Sequence, residues 1–274
     1  MTTPLLQDAE LGLISASAAA DDPHVVRSYS EQIATQESFR LNYGLDAPTG
    51  RLMMANASAL DRNAVVDISW LPSAAESYCI SSDIKDYVIA EVPIVEGDVP
   101  NRNMHCFLTS RLVEFLPKFG VQAFKTFVGK PVFYEHQHDD NTKAKGVILD
   151  ASMREVNGRW YTMVLKAFDR TKDRNLAEDV LSGKRRGHSM SAWTAFFDCA
   201  YCGHRWDTSY QKSCDCVRGP SQVRAANRYM GMGMVNAGKL VYAAPYQFYF
   251  FESSSVGDPA NYGAFQVQQA PFGG

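Results

Sequence analysis

No apolar run in this chain approaches the roughly 20 residues that cross a bilayer. Stretches such as Leu240-Val-Tyr-Ala-Ala-Pro245 and Phe248-Tyr-Phe-Phe251 are far too short, so no membrane-spanning helix is expected. A basic leader is missing as well. Asp8 and Glu10 stand where a signal peptide would be apolar, which argues against secretion by that route and predicts an intracellular setting. Charge of one sign is not concentrated anywhere: 21% of residues are charged and the net charge is −3, which disfavours a nucleic-acid-binding arm. Lys184-Arg185-Arg186 is the densest basic spot. It reads as a solvated turn between helix and strand, or alternatively as a contact to an acidic substrate side chain. No internal repeat is evident. Cysteine is sparse and unevenly spread, with four of six between 199 and 216, which favours a metal cluster over a disulfide framework. Cys79 and Cys106 stand alone and read as buried apolar thiols.

What is present is ample apolar material, 46% of 274 residues, enough for one substantial core. Residues 1–46 are rich in Ala, Ser, Asp and Gln and read as a flexible leader; 47–263 form the expected globular body, and 264–274 read as a flexible tail. Strands are predicted at Val65–Trp70, Tyr87–Ile94, Pro131–Tyr134, Gly146–Asp150, Trp160–Leu165, Leu240–Tyr242 and Gln247–Val256. Asn157-Gly158 supplies hairpin chemistry between two of them. A short helix is predicted from Thr109 to Pro117, and a second from Asp173 to Leu181 with Gly183 as its stop. It feeds into a strand carrying Ser189. Strands outnumber helices, so the expected class is α+β, mainly β: an antiparallel sheet or barrel flanked by short helices.

Three residue types needed for a serine hydrolase occur together. Ser189 lies in Gly187-His-Ser-Met-Ser191, where small neighbours would let a peptide carbonyl approach; a strand serine bonded to its own backbone is the plainer reading. His136 follows a strand, with His138 as competitor, and a solvated histidine in an acidic loop fits both. Glu252 sits inside an aromatic strand, where an ionised side chain is expensive unless paired; an edge-strand glutamate facing water is the alternative. Asp169, Asp150 and the pair Asp139-Asp140 compete for its role. Asp169 also suits capping of the helix near Asp173 or pairing with Arg170. Cys199-x-x-Cys202-Gly203 followed by Cys214-x-Cys216 has the spacing of a structural zinc knot, with His204 able to replace one ligand and a reduced redox pair as the alternative.

Together these motifs resemble the prohead (head maturation) proteases of tailed bacteriophages, which share the assemblin fold of herpesvirus capsid proteases. Gly129-Lys-Pro-Val-Phe-Tyr-Glu-His136, continuing to Gly146-Val-Ile-Leu-Asp150, is similar to the family's histidine strand and following glycine strand. Ala177-Glu-Asp-Val-Leu-Ser-Gly183 with His188-Ser189-Met190 is similar to its helix and serine strand, and Phe250-Phe-Glu252 through Pro259-Ala260 to its late carboxylate strand. Many phage members carry a CxxCG insertion after the serine strand. The resemblance covers about Lys85 to Gly263. It implies catalytic His136, Ser189 and Glu252; structural Zn2+ on Cys199, Cys202, Cys214 and Cys216; and scaffold protein, major capsid protein and the chain itself as substrates inside a prohead in the infected cell. Ser191 departs from the glycine common in phage members, which leaves the oxyanion-hole geometry open.

Three other readings remain: an inactive phage structural or scaffold protein of the same fold, a zinc-ribbon nucleic-acid module, and a metallohydrolase built on His136 and His138.

Overall fold

The computed structural model describes residues 42–46, 51–55, 65–156, 158–207, 209–218, 235–236, 239–257, 259–261, 264 and 268–271. Most of the expected leader, 1–41, lies outside them. In chain order the strands are β1 (Asn42–Asp46), β2 (Arg51–Ala55), β3 (Val65–Asp67), β4 (Tyr87–Glu96), β5 (Phe115–Leu116), β6 (Val121–Gln122), β7 (Pro131–Tyr134) and β8 (Gly146–Val156). They continue with β9 (Arg159–Asp169), β10 (His188–Cys199), β11 (Arg205–Trp206), β12 (Val235–Asn236), β13 (Lys239–Leu240), β14 (Ala243–Ser255) and β15 (Gln268–Pro271). Helices are few and short: α1 (Leu71–Tyr78), α2 (Thr109–Leu112), α3 (Arg174–Leu181) and α4 (Asp215–Arg218). The protein is mainly β, as expected.

The main sheet has the order β11-β10-β14-β7-β8-β9-β4-β15. Its pairings are antiparallel except β14 with β7, which run parallel. β4 is buried along nearly its whole length, as its largely apolar sequence requires of a strand covered on both faces, and its buried Glu91 pairs with Arg154. The β8–β9 hairpin closes between Val156 and Arg159, with Gly158 at φ +75°. At Gly146 a Cβ would lie 1.8 Å from the carbonyl oxygen of Ala167, so only glycine permits that close approach of β8 to β9.

Helix α3 begins where the Asp173 carboxylate accepts the Leu176 amide at 3.0 Å and buries Leu176, Ala177 and Val180. Gly183, at φ +73°, follows it. The predicted strand Val65–Trp70 stops at Asp67, and α1 follows, burying Leu71, Ala74, Ala75 and Tyr78 on one face. Pro72 in its first turn suits a helix start, a signal that the β-branched run before it masks. The predicted helix from Thr109 contracts to Leu112, because Phe115–Leu116 pairs with Val121–Gln122. Asn42–Asp46, assigned above to the leader, pairs with β2; Gln268–Pro271, assigned to the tail, pairs with β4 along the sheet edge. Cys106 is buried as expected, but Cys79 is exposed: it ends α1 in the left-handed conformation, φ 54°, and points away from the core.

Candidate functional site

Two neighbouring strands bring Ser189 and Glu252 together. In the β10–β14 ladder Ser189 faces Ser254 and Ser191 faces Glu252, so the four share one face of the sheet. On the other side of β14, β7 runs parallel, with Phe133 opposite Ser254 and Tyr134 opposite Ser255. The chain leaves β7 through two consecutive left-handed residues, Glu135 at φ 47° and His136 at φ 56°. Each costs on the order of 1–2 kcal/mol for a side-chain-bearing residue. The turn persists because its groups are satisfied on all sides. The Glu135 amide donates to Ser255 O at 3.0 Å, the His136 amide to Ser254 Oγ at 3.2 Å, and the Glu135 carboxylate pairs with Arg185 and accepts from Gly257 N at 3.1 Å.

This turn aims the imidazole at Glu252. His136 Nδ1 lies 2.9 Å from Glu252 Oε1, and Ser254 Oγ donates to Oε2 at 2.7 Å. Glu252 is 0% exposed while His136 retains 36%. A carboxylate only accepts, so Nδ1 carries the hydrogen and Nε2 is left free to take a proton. Burial raises the Glu252 pKa, but hydrogen bonds from His136, Ser191 and Ser254 outweigh it and hold the carboxyl below its usual range. His136 is pushed up, chiefly by its hydrogen bond to Glu252, against burial and the charge of Lys166.

Lys166 is the residue that sequence inspection misses. It lies fully buried behind the pair, its Nζ donating to Ser254 O at 3.1 Å and lying 3.1 Å from His188 Nδ1. Burial pushes it down to about 7, with Glu252 opposing the shift. Its place in the apolar strand Trp160–Phe168 is the only signal the sequence carries. Ser253, Ser254 and Ser255 are equally inconspicuous and are all buried; Ser253 Oγ donates to Ser189 O at 2.7 Å, and Ser255 Oγ accepts from Arg185 Nε at 3.2 Å.

Ser189 is 8% exposed and lines, with His136, a cavity of about 290 Å³. Gly187 serves the backbone: a Cβ there would lie 2.6 Å from Val256 O. Arg185 also departs from a plain solvated turn, since its guanidinium covers Tyr134 at 4.3 Å and braces the histidine turn.

The rival carboxylates have other partners. Asp169 is buried and accepts from Ser81 N at 2.6 Å and from the Thr171 amide and hydroxyl, both at 2.7 Å. Asp150 pairs with Lys125 at 2.9 Å, and Asp139 with Lys143 at 2.7 Å. Asp140 caps a 3-10 turn through Thr142 N at 2.9 Å. His138 lies beside the site: one ligand atom each from His136, His138 and Glu252 fall within 4.8 Å of one another.

The four cysteines Cys199, Cys202, Cys214 and Cys216 also converge, with their sulfurs within 4.8 Å of one another. Gly203, at φ +72°, turns the chain after the first pair, and the Gly203 amide donates to Cys199 O at 2.9 Å. The second pair sits at the start of α4, where Val217 N and Arg218 N bond Cys214 O. Phe197, Trp206, Val217, Val241 and Ala243 form a small core beneath them. His204 is engaged elsewhere, its Nε2 bonding Lys212 O at 2.8 Å and its ring stacking on Trp206. Four thiol sulfurs at this separation fit a soft, tetrahedral metal ion.

No protein-family model, no curated protein and no solved structure matches this chain.

Proposed function

We propose that this chain is a serine endopeptidase in which Ser189 is the nucleophile, His136 the general base and Glu252 the group that orients the imidazole. The observation carrying this reading is the His136 Nδ1–Glu252 Oε1 bond of 2.9 Å to a wholly buried carboxylate, beside a cavity that Ser189 also lines. Nε2 accepts the Ser189 proton as Oγ bonds to the scissile carbonyl carbon. The imidazolium, stabilised by Glu252, returns that proton to the leaving amine as the carbon–nitrogen bond breaks. Water then adds to the acyl-enzyme with His136 again as base, releasing the acid and restoring Ser189. Along Ser189–Phe196 the outer edge of β10 has no strand partner among the described residues, so an extended peptide can add to the sheet there.

The resemblance to tailed-phage prohead proteases narrows the proposal to an assemblin-like maturation enzyme. Its substrates would be scaffold protein, major capsid protein and itself, inside a prohead in the infected bacterium. Cys199, Cys202, Cys214 and Cys216 would hold Zn2+, which supplies a structural staple and, with four protein ligands, no open position for chemistry. Metal analysis should return one zinc per chain, falling to none in Cys202→Ser.

The test compares wild-type and Ser189→Ala chains incubated alone and with scaffold and capsid proteins, with fragments read by intact mass. Cleavage by wild type only supports the reading. Equal cleavage by both removes Ser189 from the mechanism, and cleavage by neither favours an inactive structural protein. The proximity of His136, His138 and Glu252 favours one second reading, a metallohydrolase. It requires that a chelator abolish activity while Ser189→Ala retains it.

A further inference from the structure

The cavity beside Ser189 holds about 290 Å³, just under the ~300–1,000 Å³ typical of small-molecule pockets, which suits a single side chain. It extends from Ser189 and His136 along β10 past Thr194 to Phe197. Its opposite wall is Ile94, Phe107 and the loop from Asn101 to His105. That loop is stiff: Asn101 Oδ1 accepts from Asn103 N at 2.9 Å and His105 N at 3.1 Å, and Met104 takes φ 56°. It is tied to the sheet where Cys106 N bonds Ala243 O and Ala243 N bonds Met104 O. Asn261 joins the wall by donating to Ile94 O at 3.1 Å. The cavity is therefore preformed.

Among the described residues its lining carries no aspartate, glutamate, lysine or arginine; polarity comes from the amides of Asn101, Asn103 and Asn261 and from hydroxyls. His105 lies stacked on Phe197 with its ring centroid 5.3 Å away, and burial lowers its pKa, so it is neutral near pH 7. An ionised side chain entering this space would lose its hydration without gaining a counter-charge, whereas an apolar or amide side chain meets matching walls.

Resting on the peptidase reading, we infer that this cavity receives the side chain immediately N-terminal to the scissile bond and selects an uncharged residue of medium size, apolar or amide. That residue's Cα is bonded directly to the carbon Ser189 attacks, so its side chain starts at the mouth of the cavity. Peptides with Asp, Glu, Lys or Arg at that position should be cut with kcat/KM lower on the order of 100-fold.

The probe is a denatured bacterial protein extract treated with wild-type or Ser189→Ala chain, with new N-termini mapped by mass spectrometry. Depletion of all four charged residues at the position before the cut, in Ser189-dependent cleavages, supports the inference. Enrichment of any one of them there overturns it while leaving the peptidase reading intact. Absence of Ser189-dependent cleavage overturns both. As a second arm, Asn103→Asp places a carboxylate in the wall at an exposed position, with the melting midpoint checked against wild type. It should raise kcat/KM for Lys or Arg peptides about tenfold relative to wild type; no change means that the side chain binds elsewhere.

Discussion

Ser191 and Glu252 face each other across the β10–β14 ladder, where the Ser191 hydroxyl helps hold the Glu252 carboxyl below its usual range. The strand register thus sets a hydroxyl beside the buried acid. With His136 and Ser254, Ser191 completes the set of groups that keep Glu252 ionised in an apolar strand. Ser191→Ala removes one of them. A hydrogen bond to a charged group contributes about 1.5–3 kcal/mol, so the melting midpoint should fall, and kcat should drop about tenfold with KM little changed. An unaltered kcat and midpoint would dispose of this role.

The pH profile follows from His136. In the proposed role of general base it must be neutral, and its hydrogen bond to Glu252 raises its pKa, so kcat/KM should climb with pH through a value higher than that of an ordinary histidine. Its charged neighbours are Glu252 and Glu135, which raise the pKa, and Lys166, which lowers it. Lys166→Met should therefore move the acid limb to higher pH. The sign for stability is also fixed. Lys166 titrates near 7 when folded and 10.5 otherwise, so the unfolded chain binds more protons in that window and the wild type gains stability as pH rises through it. Melting curves at pH 7 and pH 10 should show that gain in the wild type relative to Lys166→Met.

Arg185 should affect activity more than stability. Its pair with Glu135 is partly exposed, which limits its worth to under about 1 kcal/mol. Yet it braces the left-handed turn that aims His136. Arg185→Met is expected to lower kcat at least about tenfold, since small misplacements of a catalytic group are costly, while chemical denaturation shifts little. A loss of stability with unchanged kcat would contradict this assignment.

Gly146→Ala provides a test independent of catalysis. The added methyl would collide with Ala167 O, a backbone atom in a paired strand that cannot swing away. A loss of about 1–3 kcal/mol or more is expected in urea unfolding, as for other overpacked positions. An unshifted midpoint would mean that the β8–β9 spacing is looser than described.

Several local features are legible in the sequence because they depend on neighbours along the chain. The apolar, branched runs of β4 and β9, the Asp173 cap and Gly183 stop of α3, and the paired spacing of the four cysteines are of this kind. The sequence also brings His136, Ser189 and Glu252 forward as candidates, since an acid within an aromatic strand needs a partner. It does not distinguish Glu252 from Asp169 or Asp150, residues far apart along the chain whose partners are set by strand pairing. That choice rests on the tertiary structure. The parallel junction of β14 with β7 carries His136 to the buried carboxylate, and the register of β10 against β14 sets Ser189 and Ser191 beside Ser254 and Glu252. Shifting β10 by one residue would turn both serines to the opposite face. The burial of Lys166 and the neutral cavity are likewise decided by long-range packing, because desolvation depends on which distant segments cover a group.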